Sequence, residues 1–137
     1  VWPEQRDRLE RLRDALAVAE QMKPRVVRGD LRYDLAGLAA QAPPEATLVI
    51  FHTAVLGYVA SPAERQAFAD QAIDLADFWI ANEAPQVFPD IARRTESRGP
   101  GFLLSLNGTP TAWTDPHGAA IDAGERGAGP RHVAFQK

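Results

Sequence analysis

The chain has 137 residues, of which 45% are hydrophobic, and its formal net charge is −3. This length allows one domain with a sizeable core. The charge balance lacks the basic stripe of a nucleic-acid-binding protein, and the lack of cysteine excludes disulfides and thiolate metal sites. No apolar run approaches the roughly 18 residues of a membrane-spanning helix. No signal peptide is visible among the charged first residues, so we expect a cytoplasmic protein.

The first part of the chain predicts two helices separated by a short strand. Apolar residues recur at helical spacing near the start: Leu9, Leu12, Leu16 and Ala19. The predicted helix covers residues 3–22, because Pro24 prevents it from continuing. The segment RVVRGD, residues 25–30, is predicted as a strand that closes in a turn. A second helix is predicted over residues 34–42, with Asp34 as its cap.

The centre of the chain predicts a buried strand followed by a helix. ATLVIFH, residues 46–52, is an apolar run that ends at His52, and such runs are typical of strands covered on both faces. The next helix is predicted to begin at Ser61 and Pro62, with Glu64 completing a capping box. Three apolar residues of the intervening turn are expected to pack under this helix: Val55, Leu56 and Val59.

The last part of the chain predicts more strands. DFWIAN, residues 77–82, is a second buried strand, and a loop with one helical turn follows over residues 83–101. Asn107 and Gly108 between two β-rich runs predict a type I′ hairpin. A final strand is predicted at residues 132–135. Two tryptophans inside the strands are expected in the core: Trp79 and Trp113.

This order of elements predicts a single α/β domain over residues 1–137, with a mostly parallel sheet and a final antiparallel hairpin. Ligands of such sheets bind beyond the carboxyl ends of the strands. Polar residues fall at three of these ends: Asp30, His52 with Thr53, and Asn82 with Glu83.

Two histidines and one carboxylate are the candidates for chemistry at this edge. The imidazole of His52 suits acid–base work near neutral pH; the alternative is that it bonds a backbone carbonyl and orders the next turn. Glu83 would add a carboxylate, and His117 in the DPHG turn would be a third member. The predicted catalytic residues are therefore His52, Glu83 and His117, and the predicted substrate-binding residues are Thr53, Asn82 and Asp115. Their spacing matches no metal-ligand pattern, so no metal is assigned.

The segments VVRGDLRYDL and ATLVIFHTAVLGYVASPAERQAFADQAIDL resemble the middle of class I S-adenosylmethionine-dependent methyltransferases. The resemblance implies a doubly wound, Rossmann-like sheet whose last strand is inserted antiparallel. It also implies that Asp30 lies near the adenine of the cofactor and that His52 follows the strand with the catalytic or substrate-facing motif. His52-Thr53 departs from the Asp-Pro or Asn-Pro of members that methylate amines.

More narrowly, VIFHTAVLGYV, WIANEAP and AWTDPHG together resemble an uncharacterised bacterial family, domain of unknown function 2332, from about Trp2 to Ala123. Members are longer and carry an upstream glycine loop that resembles the methyltransferase cofactor motif, which this chain lacks. The resemblance implies a fragment, the carboxyl-terminal half of a methyltransferase-like domain. S-adenosylmethionine would then bind only together with the upstream half, and we expect no cofactor for this chain alone.

Three functions remain open from the sequence. The first is the substrate side of a methyltransferase acting on a small molecule. The second is a non-catalytic α/β binding or assembly module, because one scaffold hosts many functions. The third is a metal-dependent hydrolase that uses His52, Glu83 and His117. We expect neither nucleic acid nor membrane as a partner. An exposed sheet edge is expected to be covered by a second copy, by swapped elements or by an upstream segment.

Overall fold

The structure, a computed structural model, describes residues 6–123. These residues form four α-helices: α1 (Arg6–Met22), α2 (Leu35–Ala39), α3 (Pro62–Leu75) and α4 (Pro89–Ala92). They also form five strands: β1 (Val49–Thr53), β2 (Phe78–Glu83), β3 (Phe102–Leu106), β4 (Thr109–Thr114) and β5 (Ile121–Asp122). One turn of 3-10 helix, Leu56–Tyr58, follows β1. Within this range, no helix combines the length and the apolar character needed to cross a membrane.

The strands form one open sheet in the order β1-β2-β3-β4-β5, so the α/β class is confirmed. The predicted mostly parallel, Rossmann-like character is not confirmed, because within residues 6–123 β1 and β2 are the one parallel pair and the remaining pairs are antiparallel. Helix α3 supplies the crossover that parallel strands need, whereas short turns join the later strands. The implied insertion of the last strand is also wrong, since β3, the first strand of the hairpin, lies next to β2.

The strand predicted at residues 25–30 is absent. Val26 is 91% exposed and no other strand pairs with this segment, so its two valines have no sheet to join. The turn at Gly29 and Asp30 does form. Asp34 is the N-cap residue of α2, as predicted, but its carboxylate accepts the Asp30 N–H at 2.7 Å and makes no capping hydrogen bond to the helix. A Cβ at position 29 would lie 2.9 Å from that carboxylate oxygen, so glycine permits the contact.

The predicted helix boundaries are largely confirmed. Helix α1 ends at Met22, before Pro24, and Lys23 follows it with a φ of 47°. Residues 3–5 of the predicted helix lie outside the described residues. The Ser61 hydroxyl accepts the Glu64 N–H at 3.3 Å, which is one half of the predicted capping box. The predicted helical turn in the long loop is α4. The strand predicted at residues 132–135 lies outside the described residues.

The hairpin turn between β3 and β4 is confirmed. Asn107 and Gly108 have φ angles of 47° and 70°, and a type I′ turn needs positive values at both positions. Asn107 also ties the turn to β2, because its side-chain oxygen accepts the Trp79 N–H at 2.7 Å and its own N–H donates to the Trp79 carbonyl at 2.8 Å. The turn is therefore anchored to the sheet as well as shaped by its own sequence.

One face of the sheet carries the core. The side chains that pack there come from β1, from the 3-10 turn after it, from α3, from β2 and from the loop after β2. They are Ile50, Leu56, Phe68, Ala69, Ala72, Trp79, Ala81, Val87 and Phe88. The turn residues Val55 and Val59 pack against this core as predicted. Trp113 is buried as well, so both tryptophan predictions are confirmed.

The opposite face of β1 and β2 is open, so the prediction of a strand covered on both faces is wrong. Burial alternates along β1, and the outward side chains remain exposed. We use the name open face for four apolar residues that share this side: Val49 (47% exposed), Phe51 (61%), Phe78 (43%) and Leu106 (39%). The continuous apolar run of β1 therefore belongs to a strand with only one covered face.

Candidate functional site

The parallel pairing of β1 and β2 brings His52 and Glu83 together on the covered face. His52 lies opposite Ala81 in the register, two residues before Glu83. The His52 Nδ1 atom lies 2.8 Å from Glu83 Oε1, and the two residues are only 8% and 3% exposed. The sequence predicted this proximity because the carboxyl ends of parallel strands meet at one edge of a sheet.

The second ring nitrogen of His52 is also engaged. The indole N–H of Trp79 donates to His52 Nε2 at 3.0 Å. Because an indole N–H can only donate, Nε2 must accept, and the proton of a neutral imidazole then lies on Nδ1 and is donated to Glu83. Both nitrogens are occupied, so His52 has no free lone pair or proton to offer a ligand in this arrangement.

Aromatic rings enclose the same imidazole. Phe68 meets it edge-to-face with ring centroids 5.3 Å apart, and Phe88 meets Trp79 in the same manner at 5.6 Å. The rings of His52 and Trp79 are inclined by 26°. This packing fixes the ring orientation that the hydrogen bonds need, and it excludes water from them.

Glu83 holds the turn that follows β1. Its Oε1 atom accepts the backbone N–H of Val55 at 2.9 Å and that of Leu56 at 3.1 Å, in addition to the proton of His52. The chain can present these groups because Ala54 adopts a left-handed conformation with a φ of 52°. Burial raises the pKa of Glu83, but the hydrogen bonds from His52, Leu56 and Val55 outweigh it, and the pKa lies below its ordinary value of 4.5.

The lowered pKa of Glu83 predicts acid sensitivity of the fold. Because the folded state binds this proton less readily than the unfolded chain, its stabilisation is complete above about pH 4.5 and is lost as the pH falls through the folded pKa. We expect the free energy of unfolding, measured by urea titration at a series of pH values, to fall on acidification. The fall should be smaller in Glu83→Gln; equal slopes for both proteins would contradict the assignment.

Two predicted substrate-binding residues meet on the open side of the sheet. The Asn82 amide donates to the Thr53 hydroxyl at 3.2 Å, and the Thr114 hydroxyl donates to the Asn82 carbonyl oxygen at 2.7 Å. These three neutral side chains connect the carboxyl ends of β1, β2 and β4. They lie on the face opposite to His52 and Glu83, so the predicted set divides between the two sides of the sheet.

The remaining predicted residues, Asp115 and His117, form the turn after β4. The Asp115 carboxylate accepts the N–H groups of His117 at 2.8 Å and Ala119 at 3.2 Å, and these bonds lower the pKa of Asp115. The His117 side chain is exposed and makes no contact with His52 or Glu83 that the structure records. Within residues 6–123, no group of three or more His, Asp and Glu residues is arranged to hold a metal ion.

A cleft of about 860 Å³ opens beyond the carboxyl end of β1. The segment 28–32 lines one part of the cleft, Val55 and residues 58–60 of the turn after β1 line another, and Glu64 of α3 also lines it. Arg32 crosses between the walls, with its guanidinium 2.7 Å from the Asp30 carboxylate and 3.2 Å from that of Glu64. Hydrogen bonds from Arg32 lower the pKa of Asp30 to about 2, so the carboxylate is ionised at neutral pH.

Sequence reasoning missed three residues of this region. Arg32 could have been found from the Asp-X-Arg spacing, because this spacing lets the arginine side chain contact the carboxylate of Asp30. Trp79 could have been found from the alternation of side chains along β2, which places residues 79 and 83 on the same face. Tyr58, an exposed residue on the cleft wall, has no signal in a single sequence.

The comparisons with known proteins place the chain without assigning an activity. No curated protein matches the sequence. No solved structure matches the chain. A model of uncharacterised proteins conserved in bacteria matches residues 1–122, which confirms the family that the three motifs indicate. The chain therefore belongs to the family of uncharacterised proteins conserved in bacteria known as DUF2332.

Proposed function

We propose that this chain forms the substrate-side half of an S-adenosylmethionine-dependent methyltransferase. In this proposal the cleft beyond β1 receives the adenosyl end of the cofactor, and an upstream half of the protein completes the site. The observation that carries the proposal is the position of Asp30, on the wall of a cleft of about 860 Å³ that opens at the carboxyl edge of the sheet. Ligands of α/β sheets bind at this edge.

The groups that line the cleft fit an adenine. Asp30 Oδ1 accepts the backbone N–H and the Nε–H of Arg32, whereas Oδ2 accepts a single N–H from the guanidinium. Because each carboxylate oxygen has about two acceptor sites, Oδ2 retains one for an exocyclic amino group. Leu31, Val55 and Val59 supply apolar surface for the purine ring. When bound, the cofactor supplies an electrophilic methyl group.

His52 and Glu83 act as positioning residues in this proposal. Glu83 holds the backbone of Val55 and Leu56, and His52 holds the Glu83 carboxylate, so the pair shapes the cleft wall without touching the ligand. A methyl acceptor that already presents a lone pair needs no base from the protein. The proposal therefore replaces the predicted general-base role of His52, whose two nitrogens are both engaged.

Calorimetry with S-adenosylhomocysteine on the full-length protein tests this proposal. We expect measurable binding, and we expect Asp30→Asn to weaken it about tenfold, which corresponds to the loss of one good hydrogen bond. Asp74→Asn, an exposed carboxylate on α3, is the matched control and should bind as the unmodified protein does. A folded full-length protein that gives no heat of binding would exclude the methyltransferase function.

A non-catalytic binding module is the second candidate. The engagement of both His52 nitrogens favours it, because the side chain best suited to acid–base work is fully occupied. This candidate predicts ligand binding in the cleft without turnover. Transfer of a labelled methyl group to any acceptor in a mixture of small molecules would exclude it.

A further inference from the structure

The contact between His52 and Trp79 depends on the protonation state of the imidazole. The indole N–H of Trp79 donates to His52 Nε2 at 3.0 Å, whereas Nδ1 is bonded to Glu83. A protonated imidazole carries a proton on both nitrogens, and an indole N–H can only donate. Protonation of His52 therefore sets two donors against each other at this contact, while the bond to Glu83 stays possible.

The same contact lies where water cannot supply a new acceptor. His52 and Trp79 are buried, and the rings of Phe68 and Phe88 pack edge-to-face against them. A donor that is left without an acceptor in such surroundings carries the full cost of its desolvation. A protonated His52 is thus incompatible with the present position of the Trp79 indole, and one of the two rings has to move.

Glu83 is the charged group that contacts His52 among the described residues. The 3-10 turn and the loop after β2 present apolar side chains to this cluster. On α3, Glu64 bonds to Arg32, Arg65 bonds to the carbonyl of residue 59, and the other charged residues are exposed. The pKa of Glu83 lies below its ordinary 4.5. Between about pH 5 and 8, where histidine side chains ordinarily titrate, His52 is then the group of this cluster whose charge can change.

Trp79 borders open space on a second side. A cleft of about 380 Å³ lies between α3, α4 and the hairpin turn, and Trp79 lines it together with Phe88 and Ile91. His52 is not among the residues that line this cleft. The indole can therefore turn toward the cleft when its hydrogen bond to His52 is lost.

A movement of His52 reaches the larger cleft beyond β1 through Glu83. A single carboxylate oxygen, Oε1, accepts the proton of His52 and the backbone N–H groups of Val55 and Leu56. Val55 and residues 58–60 line the larger cleft. A displaced imidazole therefore disturbs the oxygen that holds this part of the cleft in place.

We propose that protonation of His52 is a switch that releases the Trp79 indole and loosens the turn at Val55 and Leu56. With a neutral imidazole, the hydrogen bonds of His52, Glu83 and Trp79 hold the turn. With a protonated imidazole, the indole turns toward the smaller cleft and the larger cleft changes shape. As regulation of the proposed cofactor cleft the inference rests on the proposed function, but the switch itself needs no ligand.

Nuclear magnetic resonance of the full-length protein between about pH 8 and pH 5 tests the switch. Nitrogen-15 shifts of His52 report its protonation, and the indole proton of Trp79 reports its hydrogen bond. Protection of the Val55 and Leu56 amides against hydrogen exchange, corrected for the intrinsic rate at each pH, reports the turn. We expect His52 to gain its proton, Trp79 to lose its bond and both protection factors to fall at least about fivefold together.

Three variants separate the switch from a purely structural role. His52→Gln keeps a donor and an acceptor but does not titrate, so we expect protection factors that do not depend on pH. Trp79→Phe removes the opposing donor, so we expect a smaller fall than in the unmodified protein. His117→Gln changes an exposed histidine and is the matched control, which should behave as the unmodified protein does.

The proposal is overturned if the turn keeps its protection while His52 gains a proton. It is equally overturned if His52 stays neutral down to about pH 5, or if His52→Gln or Trp79→Phe shows the full fall of the unmodified protein. None of these measurements involves a ligand. A failure of the switch is therefore distinct from a failure to bind S-adenosylhomocysteine.

Discussion

Replacing Glu83 with alanine is expected to lower the free energy of unfolding by about 3–5 kcal/mol, the range for breaking a buried, hydrogen-bonded ionic group. The substitution removes the acceptor of three donors at once: the His52 Nδ1–H and the N–H groups of Val55 and Leu56. These donors lie in a region where Leu56 is fully buried, so water cannot easily replace the carboxylate. Urea unfolding at neutral pH measures the loss.

Glu83→Gln is the control for this prediction. A glutamine oxygen can accept the same bonds but carries no charge, so we expect a smaller loss, on the order of 1–3 kcal/mol. If alanine and glutamine destabilise the protein equally, the charge rather than the acceptor geometry governs the site. If neither destabilises it by more than about 0.5 kcal/mol, as for ordinary surface changes, Glu83 does not hold this turn.

Replacing Trp79 with alanine is expected to cost about 3–5 kcal/mol, as large-to-small changes in cores do. The side chain is 1% exposed, packs edge-to-face against Phe88 and donates its indole N–H to His52. The change therefore leaves a cavity and an unpaired imidazole nitrogen together. Thermal and urea unfolding followed by far-ultraviolet circular dichroism measure the effect without relying on tryptophan fluorescence.

Trp79→Phe separates the two contributions. Phenylalanine keeps most of the packing but removes the donor, so we expect an intermediate loss and a free His52 Nε2 atom. Nitrogen-15 chemical shifts of His52 report which ring nitrogen carries the proton. Phe78→Ala, at the adjacent exposed position, should cost much less than Trp79→Ala. Comparable losses at positions 78 and 79 would show that the two faces of β2 are not as different as their burial indicates.

The parts of the fold that follow from local chemistry could be predicted from the sequence. Pro24 stops a helix, Ser61 begins one, and Asn107-Gly108 demands a particular turn, because each effect depends on residues close in the chain. The strand of the hairpin that lies next to β2 could not be predicted. Whether β3 or β4 lies next to β2 depends on contacts across the sheet, such as the two hydrogen bonds between Asn107 and Trp79.

The candidate site divides in the same way. The proximity of His52 and Glu83 follows from parallel strands of similar length. The full occupation of the His52 ring depends on Trp79, because its indole N–H donates to Nε2 while Nδ1 is bonded to Glu83. No spacing rule predicts the contact between Trp79 and His52. The separation of Asn82 from Glu83 does follow from strand alternation, since adjacent residues face opposite sides. Predicting one shared crevice for both residues overlooked this alternation.

The exposure of helix α1 affects how much substitutions in this helix change the stability of the protein. None of its residues is buried, and one of its hydrogen bonds to the rest of the described chain runs from the Arg8 guanidinium to the His117 carbonyl at 3.5 Å. Its helicity therefore depends mainly on its own alanine, leucine and arginine content rather than on tertiary packing. Substitutions at the exposed positions of α1 are therefore expected to change the free energy of unfolding less than substitutions among the buried residues of the sheet.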